Sequence, residues 1–161
     1  MSAEPNFEAI LKALAGAKVE FIVVGGVCAV LQGVPIATFD LDLVYSRAGQ
    51  NLDRLERVLR DEEAFYREKP EVFPDASRLD SPGHHLLMTK FGPLDLLGSV
   101  VGGEGYQELL EHTEQVDLGG GARVNILDLP TLIHLKELLG RDRDRAVLPI
   151  LRRTLEERGG R

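Results

Sequence analysis

Aspartate is disfavoured in β-strands, and an unpaired buried carboxylate costs several kcal/mol. Yet Phe39-Asp40-Leu41-Asp42-Leu43-Val44 sets two carboxylates into an otherwise apolar run. On an extended backbone, positions i and i+2 project from one face, so Asp40 and Asp42 can share a hard cation such as magnesium. The segment Pro93-Leu94-Asp95-Leu96-Leu97 repeats the pattern with a single acid. If its strand lies beside the first, three carboxylates converge on two metal ions about 4 Å apart, a pair able to clamp a triphosphate and activate an attacking oxygen. Upstream, Phe21-Ile22-Val23-Val24 runs into Gly25-Gly26. A strand that ends in a double glycine and opens a helix turns backbone amides and the positive helix end toward the space beside the acids, which suits phosphate. Each feature also has an ordinary structural explanation. The acids could form a solvated strand edge, and the glycines could serve close helix-to-strand packing.

The elements that must position these residues follow from periodicity and punctuation. Asn6 caps a helix with Phe7, Ile10, Leu11 and Leu14 on one face, ended by Gly16. Phe21 to Val24 reads as a central strand buried on both faces, followed by a short helix from Gly26 to about Gln32. Gly33 and Pro35 break that helix, and Phe39 to Tyr45 alternates as a second strand. Asn51 to Glu63 is a second amphipathic helix, with Leu52, Leu55, Val58 and Leu59 inward. The Phe65-to-Asp80 region, with two prolines and mixed charge, reads as an extended connection holding at most one strand. His84 to Lys90 and Pro93 to Leu97 flank a tight turn at Phe91-Gly92. A short helix over Gly105 to His112 precedes two edge strands, Gln115 to Leu118 and Arg123 to Leu127, around Gly119-Gly120-Gly121. A helix starting at Asp128, with Pro130 in its first turn, ends at Gly140. The last helix is expected from Pro149 to Arg158, since proline is tolerated in a first turn and costly in mid-helix. Strands and helices mix without strict alternation, so the fold class is α+β with a mixed β-sheet flanked by helices and a short C-terminal helical segment.

At 161 residues the chain suits a single domain over 1–161, with a core at about 17–127 and C-terminal helices at about 128–158. Its 43% apolar and 28% charged residues are those of an ordinary globular protein. No apolar run of membrane length and no basic N-terminal leader is evident, which predicts a cytoplasmic protein without membrane partners. The single cysteine, Cys28, sits in an apolar segment and reads as a small core residue. A net charge of −7 argues against broad adhesion to nucleic acid. From Lys136 onward the balance reverses, through Arg141, Arg143, Arg145, Arg152, Arg153, Arg158 and Arg161, either as a solvated helix face or as a basic patch. His84 and His85 are adjacent, point to opposite faces of a strand and cannot form a same-face metal pair. Tyr45 and Tyr106 carry rings that could stack on a base, with ordinary packing as the alternative.

Taken together, Val24-Gly25-Gly26, the spacer through Gly33, Thr38-Phe39-Asp40-Leu41-Asp42-Leu43 and Leu94-Asp95-Leu96 resemble the polymerase-β-like nucleotidyltransferase superfamily. The nearest likeness is to its small bacterial branch of AbiEii-type and other toxin-associated nucleotidyltransferases. Gly105-Tyr106-Gln107-Glu108-Leu109, Leu127-Asp128-Leu129-Pro130-Thr131-Leu132-Ile133, Lys136 and Gly140-Arg141-Asp142-Arg143-Asp144-Arg145 resemble that branch's C-terminal half, so the likeness covers about Phe21 to Leu151. It implies a nucleotidyltransferase fold and transfer of a nucleoside monophosphate from a nucleoside triphosphate to the hydroxyl of an RNA, a protein or a small molecule. By the same resemblance Asp40 and Asp42 would hold two Mg2+ (or Mn2+) ions, and Asp95 would bind one and help activate the acceptor. Gly25 and Gly26 would cradle the triphosphate, with Thr38 beside them and Lys136 reaching phosphate. The branch further implies a toxin with a cognate antitoxin protein as partner.

One departure stands out. Relatives often carry an arginine just before the threonine, where this chain has Ile36-Ala37-Thr38. The cation is then missing, supplied by Arg47 or Arg78, or unnecessary, and a non-catalytic binding module with the same fold is the alternative reading. A remoter one is a haloacid-dehalogenase-type phosphatase, whose first motif resembles Asp40-Leu41-Asp42-Leu43-Val44 with the first aspartate as nucleophile. That reading needs a late acidic pair, for which only Asp142 and Asp144 are available, and leaves Asp95 without a role.

Overall fold

Phe21–Val24 forms strand β1 and is buried along its whole length, as four apolar side chains require covered faces on both sides. In the computed structural model, which describes residues 4–159, β1 lies inside a seven-stranded sheet. Arg161, counted above with the basic segment, lies outside the described residues. The remaining strands are β2 (Leu41–Tyr45), β3 (Phe65–Tyr66), β4 (His84–Thr89), β5 (Gly92–Leu97), β6 (Thr113–Asp117) and β7 (Arg123–Leu127). Their order in the sheet is β3-β4-β5-β2-β1-β7-β6. The pairs β1–β7 and β2–β5 are parallel and the others antiparallel, so the sheet is mixed, as the α+β reading requires.

Seven helices complete the described residues: α1 (Phe7–Gly16), α2 (Gly25–Leu31), α3 (Gly49–Asp61), α4 (Ala76–Leu79), α5 (Tyr106–Leu110), α6 (Leu129–Leu139) and α7 (Asp142–Glu157). Asn6 caps α1 through its Oδ1, which accepts from the Ala9 amide at 3.0 Å. Asp128 caps α6 in the same way, accepting from the Thr131 amide at 2.8 Å, and Gly140 ends it at φ 59°. One continuous core joins Ile10, Leu11 and Leu14 of α1, β1, β2, Leu55 and Leu59 of α3, Ile126 and Leu127 of β7 and Leu148 and Leu151 of α7.

Several elements differ from their sequence reading. Strand β7 is interior: it pairs in parallel with β1 through Ile22–Asn125 and Val23–Ile126, and only β6 lies at that edge. The triple glycine marks the β6–β7 turn correctly, but a turn says nothing about what occupies a strand's far side. Helix α3 starts at Gly49 rather than Asn51, because Asn51 is a buried clamp within it. Its Oδ1 accepts from the Glu20 amide at 2.6 Å and its Nδ2 donates to the carbonyls of Glu20 and Ser46 at 3.0 and 2.7 Å. The region after α3 holds β3 and the unforeseen single turn α4, capped by Asp75. The last helix starts at Asp142, not Pro149, so the proline lies inside it. That start is fixed by Asp144, which accepts from the Arg141 amide at 3.2 Å and the Arg141 Nε at 2.6 Å. Lys136 Nζ completes its shell at 3.2 Å, a set of contacts that outweighs the one backbone hydrogen bond Pro149 cannot make.

Candidate active site

Strands β2 and β5 are adjacent and parallel in a register that sets Asp42 directly beside Asp95. Strand β1, on the other side of β2, sets Val24 opposite Asp42, so the chain enters Gly25 beside that carboxylate. Gly25 has φ +67°, and a Cβ there would collide with Asp42 Oδ2. At Gly26 a Cβ would lie 2.5 Å from Thr38 Oγ1, and that hydroxyl in turn donates to the Asp40 carbonyl at 3.2 Å. The double glycine therefore lets the chain before β2 close against the end of β1. Asp40 precedes β2 by one residue rather than standing within it. One oxygen each from Asp40, Asp42 and Asp95 nevertheless lies within 4.8 Å of the other two.

Three carboxylates this close repel one another. Burial, then the charges of Asp40 and Asp95, push the Asp42 carboxyl up to about 8. Asp40 is raised as well, by burial first and then by a hydrogen bond shared with Asp95. The nearby cations come from two places. Arg67, just after β3, donates from Nη2 to Asp95 Oδ1 at 2.7 Å and from Nη1 to the Leu87 carbonyl at 3.0 Å. The α6–α7 junction brings Lys136 and Arg141 near Asp42 and Arg143 near Asp40, each electrostatically favouring the ionised acid or favoured by it. Part of the basic C-terminal segment thus lies near enough for its charge to act on the acids, while Lys136 and Arg141 themselves bond Asp144.

The donor set fits a hard dication. It offers only carboxylate oxygens, on three mutually close side chains whose negative charge a bound cation would neutralise. Asp40, Asp42 and Asp95 are the residues that could hold it. Gly25, Gly26 and Thr38 line the same corner, and Lys136 is 19% exposed with its ammonium on the buried Asp144.

Other sequence candidates lie elsewhere. Arg47 pairs with Asp80 at 3.7 Å and Arg78 with Asp75 at 2.8 Å, so neither supplies the cation sought for the site. Ile36 packs partly buried against the core. Cys28 is fully buried, donates to the Leu127 carbonyl and has its thiol pushed by burial up to about 12, as a core residue and not a nucleophile. Tyr45 is buried with its hydroxyl on the Leu79 carbonyl, and Tyr106 is buried too. His85 pairs through Nδ1 with the Tyr66 hydroxyl at 2.8 Å, away from exposed His84. Sequence reasoning missed Arg67 and the role of Asp144 as the partner of Arg141 and Lys136. Arg67 gave no periodic signal in an irregular segment, whereas Asp144 could have been found as the i+3 partner of Arg141.

No family model and no curated protein matches the sequence. A crystal structure from Thermotoga maritima, of a protein provisionally assigned as a nucleotidyltransferase, superposes with a TM-score of 0.55 at 19% identity, covering 94% of this chain and 91% of that one. The chain has a nucleotidyltransferase-like fold. The strand order does not fit the phosphatase reading, because β1 and β2 are antiparallel neighbours rather than members of an alternating parallel order. Of that reading's late acid pair, Asp144 is consumed by Arg141 and Lys136, and Asp142 is exposed beside Arg145. Among the described residues no helix is long and apolar enough to cross a membrane.

Proposed function

We propose that the protein is a metal-dependent nucleotidyltransferase that moves a nucleoside monophosphate from a nucleoside triphosphate to an acceptor hydroxyl. One observation carries this reading: the Asp42–Asp95 register brings three carboxylate oxygens within 4.8 Å of one another beside a double glycine in a nucleotidyltransferase-like fold. Asp40, Asp42 and Asp95 would hold Mg2+ or Mn2+. When bound, the metal neutralises phosphoryl charge and lowers the cost of ionising the attacking hydroxyl. Gly25, Gly26 and Thr38 receive the triphosphate through backbone and hydroxyl groups, and Lys136, Arg141 and Arg143 offset its charge. Asp95 would help activate the acceptor hydroxyl, whose proton passes to water. The acceptor oxygen then forms its bond to the α-phosphorus as the bond to the bridging β-phosphate oxygen breaks, and pyrophosphate leaves.

The acceptor class, whether RNA, protein or small molecule, is set by surface outside these residues. Incubation with each labelled triphosphate, Mg2+ or Mn2+, and cellular RNA or protein tests the proposal. Label should pass to an acceptor with wild type and fall by at least about 100-fold in Asp42→Ala and Asp95→Ala, as expected when a metal-holding carboxylate is lost. Transfer at wild-type rates in either variant would sink the metal assignment. Growth arrest on expression of wild type, but not of Asp42→Ala, would support a toxin role with an antitoxin partner. The presence of Ile36 favours a second reading, a nucleotide-binding module without transfer, which would retain metal and nucleotide binding and label nothing.

A further inference from the structure

We infer that Arg67 is a positioning residue that fixes Asp95 as a metal ligand; this rests on the metal-site part of the proposed function. Arg67 follows β3 and is held by its own backbone, whose amide donates to the Leu86 carbonyl at 3.0 Å. Leu86 is the cross-strand partner of Asp95. From that anchor the side chain spans β4 to β5, with one arm of its fork on the Leu87 carbonyl and the other on Asp95 Oδ1. The guanidinium plane is therefore fixed at two points, and with it the direction of the carboxylate it grips.

No other carboxylate of the trio has such a partner. Among the described residues, neither Asp40 nor Asp42 makes a salt bridge, whereas the Arg67–Asp95 pair is 29% and 12% exposed. A carboxylate has two oxygens, so an arginine on Oδ1 leaves Oδ2 for a cation. The charge of Arg67 also reaches Asp40, where it favours the ionised form. Arg67 thus steadies the most distant member of the trio in sequence, and it does so from the β3–β4 side of the sheet, which contributes no ligand of its own. Metal ligands commonly depend on such outer partners, and losing one costs about 10- to 100-fold in metal affinity.

The opposite role is open to the same geometry. An arginine on a ligand carboxylate can act as a competing cation that a metal must displace, and the two roles predict opposite signs. Mn2+ binding to the full chain without nucleotide, followed by electron paramagnetic resonance, decides between them. Positioning predicts that Arg67→Ala weakens Mn2+ binding about 10-fold or more. Arg67→Lys, which keeps the charge but cannot span Leu87 and Asp95 with one planar fork, should also weaken it. Equal or tighter binding in Arg67→Ala, with Arg67→Lys like wild type, would overturn the inference and make Arg67 a competitor. If Arg67→Ala does not fold, Arg67→Lys carries the test: weakened binding supports positioning and unchanged binding overturns it. Wild type that binds no Mn2+ would overturn both this inference and the metal site. Weakened Mn2+ binding in the variants of a wild type that labels no acceptor would leave the positioning role standing while the transferase reading fails.

Discussion

Glu62 is 2% exposed, and neither of its carboxylate oxygens has a partner. Burial pushes its carboxyl up to about 7, against the pull of Lys90 and with a push from Asp61. A folded carboxyl that holds its proton more tightly than the unfolded one makes stability fall as pH rises, here from about 4.5 to about 7, and the loss is complete above that window. Glu62→Gln should match wild type near pH 4 and be more stable by up to about 3 kcal/mol at pH 8 and above. Urea denaturation across that range measures the difference. A gap that shrinks with rising pH would show that Glu62 is charged and paired in the fold. The trio of acids was legible in the sequence at the same scale, because Asp40, Asp42 and Asp95 each interrupt an apolar run. Glu62 and Arg67 were not, since each sits at the margin of a helix or in an irregular segment where charge is ordinary.

At the scale of elements, Pro149 shows what a local rule leaves out. Proline opposes a mid-helix position, yet α7 begins seven residues before it because Asp144 gathers Arg141 and Lys136 at its start. These partners hold the Asp144 carboxyl down to about 2, with the Arg141 hydrogen bond the largest cause. Pro149 itself is exposed. Replacing it with alanine gives the Arg145 carbonyl a donor, and Pro149→Ala should stabilise the fold by about 1–3 kcal/mol. Nucleotidyl transfer should be unchanged, because the residue faces solvent on α7. Thermal unfolding with and without the substitution tests this, and a destabilised variant would mean that the helix needs its bend. The β6–β7 hairpin makes the same point for strands. Its glycines announce the turn, while the burial of Val124, Ile126 and Leu127 comes from β1 and the helices packed around it.

For the molecule as a whole, the site couples strands from the two halves of the chain, so metal should act as a cross-brace. Mn2+ at 100 times its dissociation constant should raise wild-type stability by about 2.7 kcal/mol. In a chain of this size that is roughly 5–10 °C in Tm. Without metal, the raised Asp42 carboxyl makes stability decline as pH climbs toward about 8, because burial first, and then the charges of Asp40 and Asp95, oppose ionising Asp42 in the folded state. Asp42→Asn should therefore have a higher Tm than wild type in metal-free buffer at pH 8 and show little or no Mn2+ shift. A full metal shift in that variant would place the cation elsewhere.

Local patterns along the chain set the chemistry available and the class of fold. Paired acids in an apolar strand, a third acid in another, a double glycine after a buried strand and the capped helices are local patterns, and local physics reads them. Long-range packing is what makes Asp42 and Asp95 neighbours in one register, puts β7 in the interior and brings Arg67, not Arg47 or Arg78, to the acids. It also makes Lys136 and Arg141 converge on Asp144. Each of these depends on which strand edges meet and which side chains cross between elements, and no short-range pattern in the chain encodes such pairings.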